Sequence, residues 1–142
     1  MKLIFEFLCG LLYLIGYPFG LTYEEISIYI CIYLWPSLCT ISTIPIILIS
    51  FKKILNKKIV GVPCLISSII YFLYYCYYTN LIICRYNISN PNSFTNCMLD
   101  LKVLAEYYGI SYEMLNILIY VIGFILIITF NIVVYKLIKK YL

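Results

Sequence analysis

An all-α integral membrane protein is the fold class this sequence predicts, with three transmembrane helices and two further helices lying in the outer membrane interface. Three observations carry that reading. First, Ile26 to Phe51 runs 26 residues without a charge, Ile59 to Cys84 another 26, and Met114 to Tyr135 another 22. About 20 apolar residues are enough to cross roughly 30 Å of hydrocarbon as a helix. Second, the 11 residues from Gly20 (G-L-T-Y-E-E-I-S-I-Y-I) recur 89 positions later at Gly109 (G-I-S-Y-E-M-L-N-I-L-I), with five identities and four like-for-like exchanges. Third, Lys52, Lys53, Lys57, Lys58, Lys136, Lys139 and Lys140 gather at one set of run ends with no acid among them. Composition agrees, being 65% hydrophobic and 11% charged, where a soluble domain has about 45–50% and about 25%. A soluble helix keeps a charged, solvent-facing side, and these runs carry no charge.

The elements follow in order within a single membrane domain, 1–142. Residues 3–16 are apolar apart from Glu6. A signal peptide needs a small-residue cleavage site, and Gly16-Tyr17-Pro18-Phe19 is a poor one. A fourth span is short here and puts Glu6 in hydrocarbon at real cost. An interfacial helix is favoured by the recurring stretch. The residues before the second copy, 97–108, hold Asp100, Lys102 and Glu106 and so do not span, while Met98, Leu101, Leu104, Ala105 and Tyr108 share one helical face.

Each interfacial helix ends at a glycine, Gly20 or Gly109, suited to a left-handed C-terminal residue. Thr22 and Ser111 then stand where a helix N-cap is needed. Glu24 and Glu113 follow in the first turn, where acids suit the helix dipole, and Glu25 completes a T-x-x-E capping box. The spans are expected at 23–51, 62–84 and 112–136. Pro36 and Pro45 should bend the first, with Ser37, Thr40 and Thr43 near the freed backbone groups. Pro63 sits harmlessly in the first turn of the second. Gly123 alone interrupts the third. Lysines mark the cytoplasmic side, so the 52–58 loop and the C-terminus lie inside. The polar loop Asn87–Asn96, Glu24 and the N-terminus lie outside.

Catalytic chemistry has little to stand on. With no histidine and one aspartate, the usual general base, metal ligand and paired-Asp devices are missing. No phosphate-binding glycine motif occurs. Seven cysteines form no C-x-x-C pair. Cys84 and Cys97 bracket the outer loop and are the natural disulfide pair on an oxidising face. Leu104-Ala105-x-x-x-Gly109-x-Ser111-x-x-x-Leu115 has helix-turn-helix spacing, but the second helix has no Lys or Arg before Lys136, so nothing on it reads a DNA groove.

What remains is polar patterning inside the spans: Tyr33 and Thr40 in the first, Ser67 and Tyr71 in the second, Asn116, Tyr120 and Asn131 in the third. Interhelical hydrogen bonding is its expected use. The expected protein is thus non-enzymatic, without cofactor, metal or nucleic acid. It is an accessory or scaffold subunit of a membrane assembly, whose partners are the bilayer and either copies of itself or other membrane subunits. Its richness in Ile, Tyr, Asn and Lys fits an AT-rich genome, hence the plasma membrane of a low-GC bacterium or an organelle membrane. In span number and basic C-terminus (Lys136, Lys139, Lys140) it resembles three-span phage holins. That resemblance implies the alternative reading, an oligomeric pore-forming protein or defence effector.

Overall fold

The computed structural model describes residues 2–56 and 58–141. Lys57, one of the lysines expected at the inner face, lies outside the described residues, as does the side chain of Lys58. The chain is 89% helical, with no strand among the described residues. In order it forms α1 (Lys2–Gly16), a 3-10 turn (Tyr17–Phe19), α2 (Tyr23–Ile28), a π-helical stretch (Tyr29–Leu34), α3 (Trp35–Ile41) and α4 (Ile44–Asn56). Then come α5 (Lys58–Arg85), α6 (Ser93–Tyr108), α7 (Tyr112–Asn116), a second π-helical stretch (Ile117–Gly123) and α8 (Phe124–Tyr141). Four stretches are long and apolar enough to cross a membrane: Lys2–Phe19, Tyr23–Ile54, Gly61–Arg85 and Tyr112–Lys140. The sequence reading counted three of these as spans; the additional one is N-terminal. The chain divides into two compact units, one of Met1–Trp35 with Ile82–Gly123, the other of Pro36–Leu81 with Phe124–Leu142.

In the first unit the two similar stretches take the same local geometry. Gly20 and Gly109 are left-handed, with φ of 66° and 65°, so each turns the chain where a Cβ would be strained. Thr22 and Ser111 are extended, at φ −69°, ψ 161° and φ −71°, ψ 151°. Thr22 Oγ1 accepts the Glu25 amide at 3.3 Å while the Glu25 carboxylate accepts the Thr22 amide at 2.8 Å, a closed capping box. Ser111 Oγ accepts the Met114 amide at 3.2 Å; with methionine at that position nothing reaches back. Each capped helix, α2 and α7, passes into a π-helical stretch within two turns. In the first, the Trp35 amide bonds the Ile30 carbonyl five residues back, just before Pro36, which has no amide to offer.

Both ends of α1 meet these helix starts. Gly16 is buried, and a Cβ there would lie 3.2 Å from Ile26 Cβ. Cys9 Sγ is 3.2 Å from Tyr23 Oη. Phe5 packs edge-on against the Tyr112 ring at 5.9 Å, and the Lys102 ammonium stands 6.0 Å from that same ring. Tyr23 and Tyr112 open α2 and α7, so α1 contacts both helix starts.

The second unit packs α4 against α8. The first apolar run breaks at Ser42–Thr43, between α3 and α4 and just ahead of Pro45. Helix α5 begins at Lys58, ahead of the expected start at 62, and takes Pro63 inside. The cause is a close approach: a Cβ on Gly61 would stand 2.6 Å from the Ile54 Cα, so the glycine lets α5 start against α4. Likewise α6 starts at Ser93 and not at 97. Asn87 Oδ1 accepts the Ser89 amide at 3.0 Å, Asn90 Oδ1 accepts the Asn92 amide at 3.0 Å, and Ser93 Oγ bonds the Asn87 carbonyl. These side-chain-closed turns order the polar loop and extend the helix.

Candidate functional site: polar groups between the helices

Asn131, on α8, is 1% exposed. An amide there must find its partners inside the protein. Its Nδ2 donates to Ser42 Oγ at 2.6 Å and its Oδ1 accepts from the Tyr71 hydroxyl at 2.9 Å. One side chain thus ties the α3–α4 break to α5. Ser42 in turn donates to the Cys39 carbonyl at 2.6 Å, and the Tyr71 and Tyr75 hydroxyls lie 3.2 Å apart with rings in edge contact.

Two further links join the first and second apolar runs within this unit. Thr40 and Thr79 hydroxyls are 2.9 Å apart, and both reach the Pro36 carbonyl, at 3.0 and 3.3 Å. Ser50, fully buried, stands 3.1 Å from Ser68 and 3.3 Å from Cys64 Sγ, while donating to the Ile46 carbonyl at 2.7 Å. Among the described residues no buried side-chain nitrogen or oxygen lacks a hydrogen-bond partner.

Of the expected polar stripe, Thr40, Tyr71 and Asn131 are brought into these links. Ser67 is not: it is exposed and its neighbour Ser68 is buried, so the serine used is one position on, about 100° around the helix. Asn116 donates to the Tyr112 carbonyl of its own helix at 2.9 Å and makes no bridge. Tyr33 and Tyr120 act in the first unit. The Tyr33 hydroxyl meets Asn87 Oδ1 at 3.4 Å and accepts the Ile88 amide at 3.2 Å; Tyr120 Oη lies 3.6 Å from Cys97 Sγ.

Because α6 starts early, Cys97 lies a turn inside the helix and faces Tyr120, while Cys84 is exposed; no disulfide joins them in this structure. Burial pushes the Cys97 thiol up, away from reactivity. No group of three or more His, Cys, Asp or Glu that could hold a metal occurs among the described residues.

A charged cluster that the sequence reading missed joins α5 to α6. Arg85 Nε and Nη2 donate to Asp100 Oδ2 at 3.0 and 2.7 Å, and the Tyr86 hydroxyl donates to the same oxygen at 2.6 Å. The Tyr86 and Arg85 bonds hold the Asp100 carboxyl below the usual carboxylate range. Burial, then the bond to Asp100, pushes the Tyr86 phenol up to about 12. The sequence signal was available: Arg85 and Asp100 are opposite charges on either side of a loop whose ends must meet.

Glu24 and Glu113, expected as first-turn acids, lie in the first turns of α2 and α7. No known protein family, curated protein or solved structure matches this chain.

Proposed function

We propose that this is a non-enzymatic, three-span membrane protein that acts as an accessory or scaffold subunit, assembling with copies of itself or with other membrane helices. The observation that carries the reading is Tyr77. It is 63% exposed, two thirds of the way along the apolar stretch Gly61–Arg85. It precedes Arg85 by about 12 Å of helix rise. Its ring touches Tyr78, but its hydroxyl has no hydrogen bond among the described residues. Tyr74 and Tyr78 flank it, also more than 40% exposed. A phenol at that depth facing lipid costs free energy that a neighbouring helix recovers. The inner polar groups, by contrast, are spent on one another, which favours packing over a water-lined path.

The outer-interface reading of α1 draws support from its contacts at the starts of α2 and α7, beside the charge of Lys102. The matched caps at Thr22 and Ser111 favour one device used twice.

Tyr77→Leu should lower the oligomer fraction seen by cross-linking in native membranes, and Leu73→Ala, on a neighbouring exposed position, should lower it less. Unchanged cross-linking in Tyr77→Leu, or single-channel currents from the purified wild type in planar bilayers, would refute the scaffold reading; currents would establish the pore.

A further inference from the structure

Beside the Arg85–Asp100 pair lies an open cavity of about 370 Å³, lined by Arg85, Tyr86, Asn96, Leu99 and Asp100. Its chemistry is lopsided. Three donors converge on Asp100 Oδ2. Asp100 Oδ1 and Arg85 Nη1 have no hydrogen bond among the described residues, although the two side chains are 42% and 61% exposed. The cavity therefore offers an unused carboxylate oxygen next to an unused guanidinium nitrogen, already oriented by their mutual bonds. A carboxylate accepts from an ammonium, and a guanidinium donates to a phosphate. The Asn96 side chain, exposed and without a hydrogen bond of its own, adds a donor on the phosphate side. Leu99, 51% exposed, gives the rim an apolar edge. The Arg85 guanidinium stacks 5.7 Å from the Tyr86 ring centre, which further fixes its plane.

We propose that this cavity binds a phosphoethanolamine group, its ammonium on Asp100 and its phosphate on Arg85 and Asn96. The apolar edge at Leu99 and the position of Arg85 at the end of an apolar helix favour a phosphatidylethanolamine headgroup over the free phosphoamine. A primary ammonium donates to Oδ1; a choline has no proton to give. An anionic headgroup without an amine satisfies Arg85 but meets the Asp100 charge.

The proposal rests on the membrane reading alone. A chain that stays in the supernatant without detergent fails that reading before lipid is added, whereas a membrane-embedded chain indifferent to headgroup fails only this proposal. The test is native mass spectrometry of the delipidated full chain, offered equal amounts of phosphatidylethanolamine, phosphatidylcholine and phosphatidylglycerol. Wild type should retain phosphatidylethanolamine preferentially. Asp100→Asn should lower the ratio of retained phosphatidylethanolamine to phosphatidylglycerol by about tenfold or more, raising phosphatidylglycerol in absolute terms. Loss of a merely structural ion pair would lower both. Asn96→Ala, which leaves the ion pair intact, should weaken phosphatidylethanolamine retention without changing thermal stability. Soluble phosphoethanolamine supplied in excess identifies the source: failure to displace the lipid assigns the site to the headgroup, and displacement assigns the same chemistry to a free phosphoamine. Equal retention of all three lipids by wild type and Asp100→Asn overturns the proposal.

Discussion

Asn131 and Asn116 are the same residue type in the same apolar run, and the structure uses them differently. Asn131 spends both ends of its amide on Ser42 and Tyr71; Asn116 bonds only its own helix. Replacing Asn131 with leucine removes the shorter of the Tyr71 hydroxyl's two acceptors and the amide that donates to Ser42 Oγ. We expect Asn131→Leu to cost about 1–2 kcal/mol and Asn116→Leu less than about 0.5 kcal/mol. Thermal unfolding in detergent, with the two variants side by side, measures the difference, and equal losses would contradict the assignment. Sequence alone ranked the two alike. Spacing identified a polar side on each span, and that much was legible for Thr40, Tyr71 and Asn131. It did not resolve Ser67 from Ser68, because adjacent serines differ by about 100° around a helix and only the packed neighbour, Ser50, decides which is buried.

Elements defined by local chemistry were the most legible. Glycine, hydroxyl and carboxylate at fixed offsets specify a turn and a cap without tertiary help, and Gly20–Thr22–Glu25 and Gly109–Ser111 take that geometry. The break at Ser42–Thr43 was flagged by Pro45, whereas neither π-helical stretch was. A π turn widens the helix by one residue at positions set by packing, so apolar periodicity carries no mark of it. The early start of α5 was missed for a related reason. Gly61 looked like part of an apolar run, yet its value lies in the space it leaves for Ile54. Glycine to alanine inside a helix ordinarily stabilises by about 0.5–1 kcal/mol. At Gly61 the added Cβ would meet backbone at 2.6 Å, and backbone does not move aside as a side chain does. We expect Gly61→Ala to destabilise by about 1–3 kcal/mol, and Gly10→Ala, where a Cβ meets nothing within 4 Å, to be neutral or stabilising. Melting curves showing both variants at or above wild type would mean that α4 and α5 separate readily at this turn.

For the whole molecule the question is how many times the chain crosses the bilayer, and it reduces to one end. The proposed topology, with the C-terminus inside and the 87–92 loop outside by lysine placement, is the same under either count, because the three later apolar stretches are common to both. The counts differ only in Lys2. If α1 spans, Lys2 is cytoplasmic, on the opposite side from residue 92. If α1 lies in the outer interface, Lys2 and residue 92 share a side. Composition does not separate these, since Lys2–Phe19 is apolar enough to qualify as a span. Length does not separate them either: α1 with its 3-10 turn has 18 residues, about 28 Å against roughly 30 Å of hydrocarbon. We propose the interface from the contacts of α1. Phe5 contacts Tyr112, whose ring also faces the Lys102 ammonium, and an ammonium holds that level near water. Lys2 and Glu6 are both more than 60% exposed and 4.0 Å apart, a pair suited to the aqueous edge of an interface. With the native cysteines replaced, single cysteines at positions 2 and 92 should therefore react together with a membrane-impermeant maleimide in intact cells, and one near the C-terminus should react only after permeabilisation. Labelling of position 92 but not of position 2 would make α1 a fourth span and place the N-terminus inside.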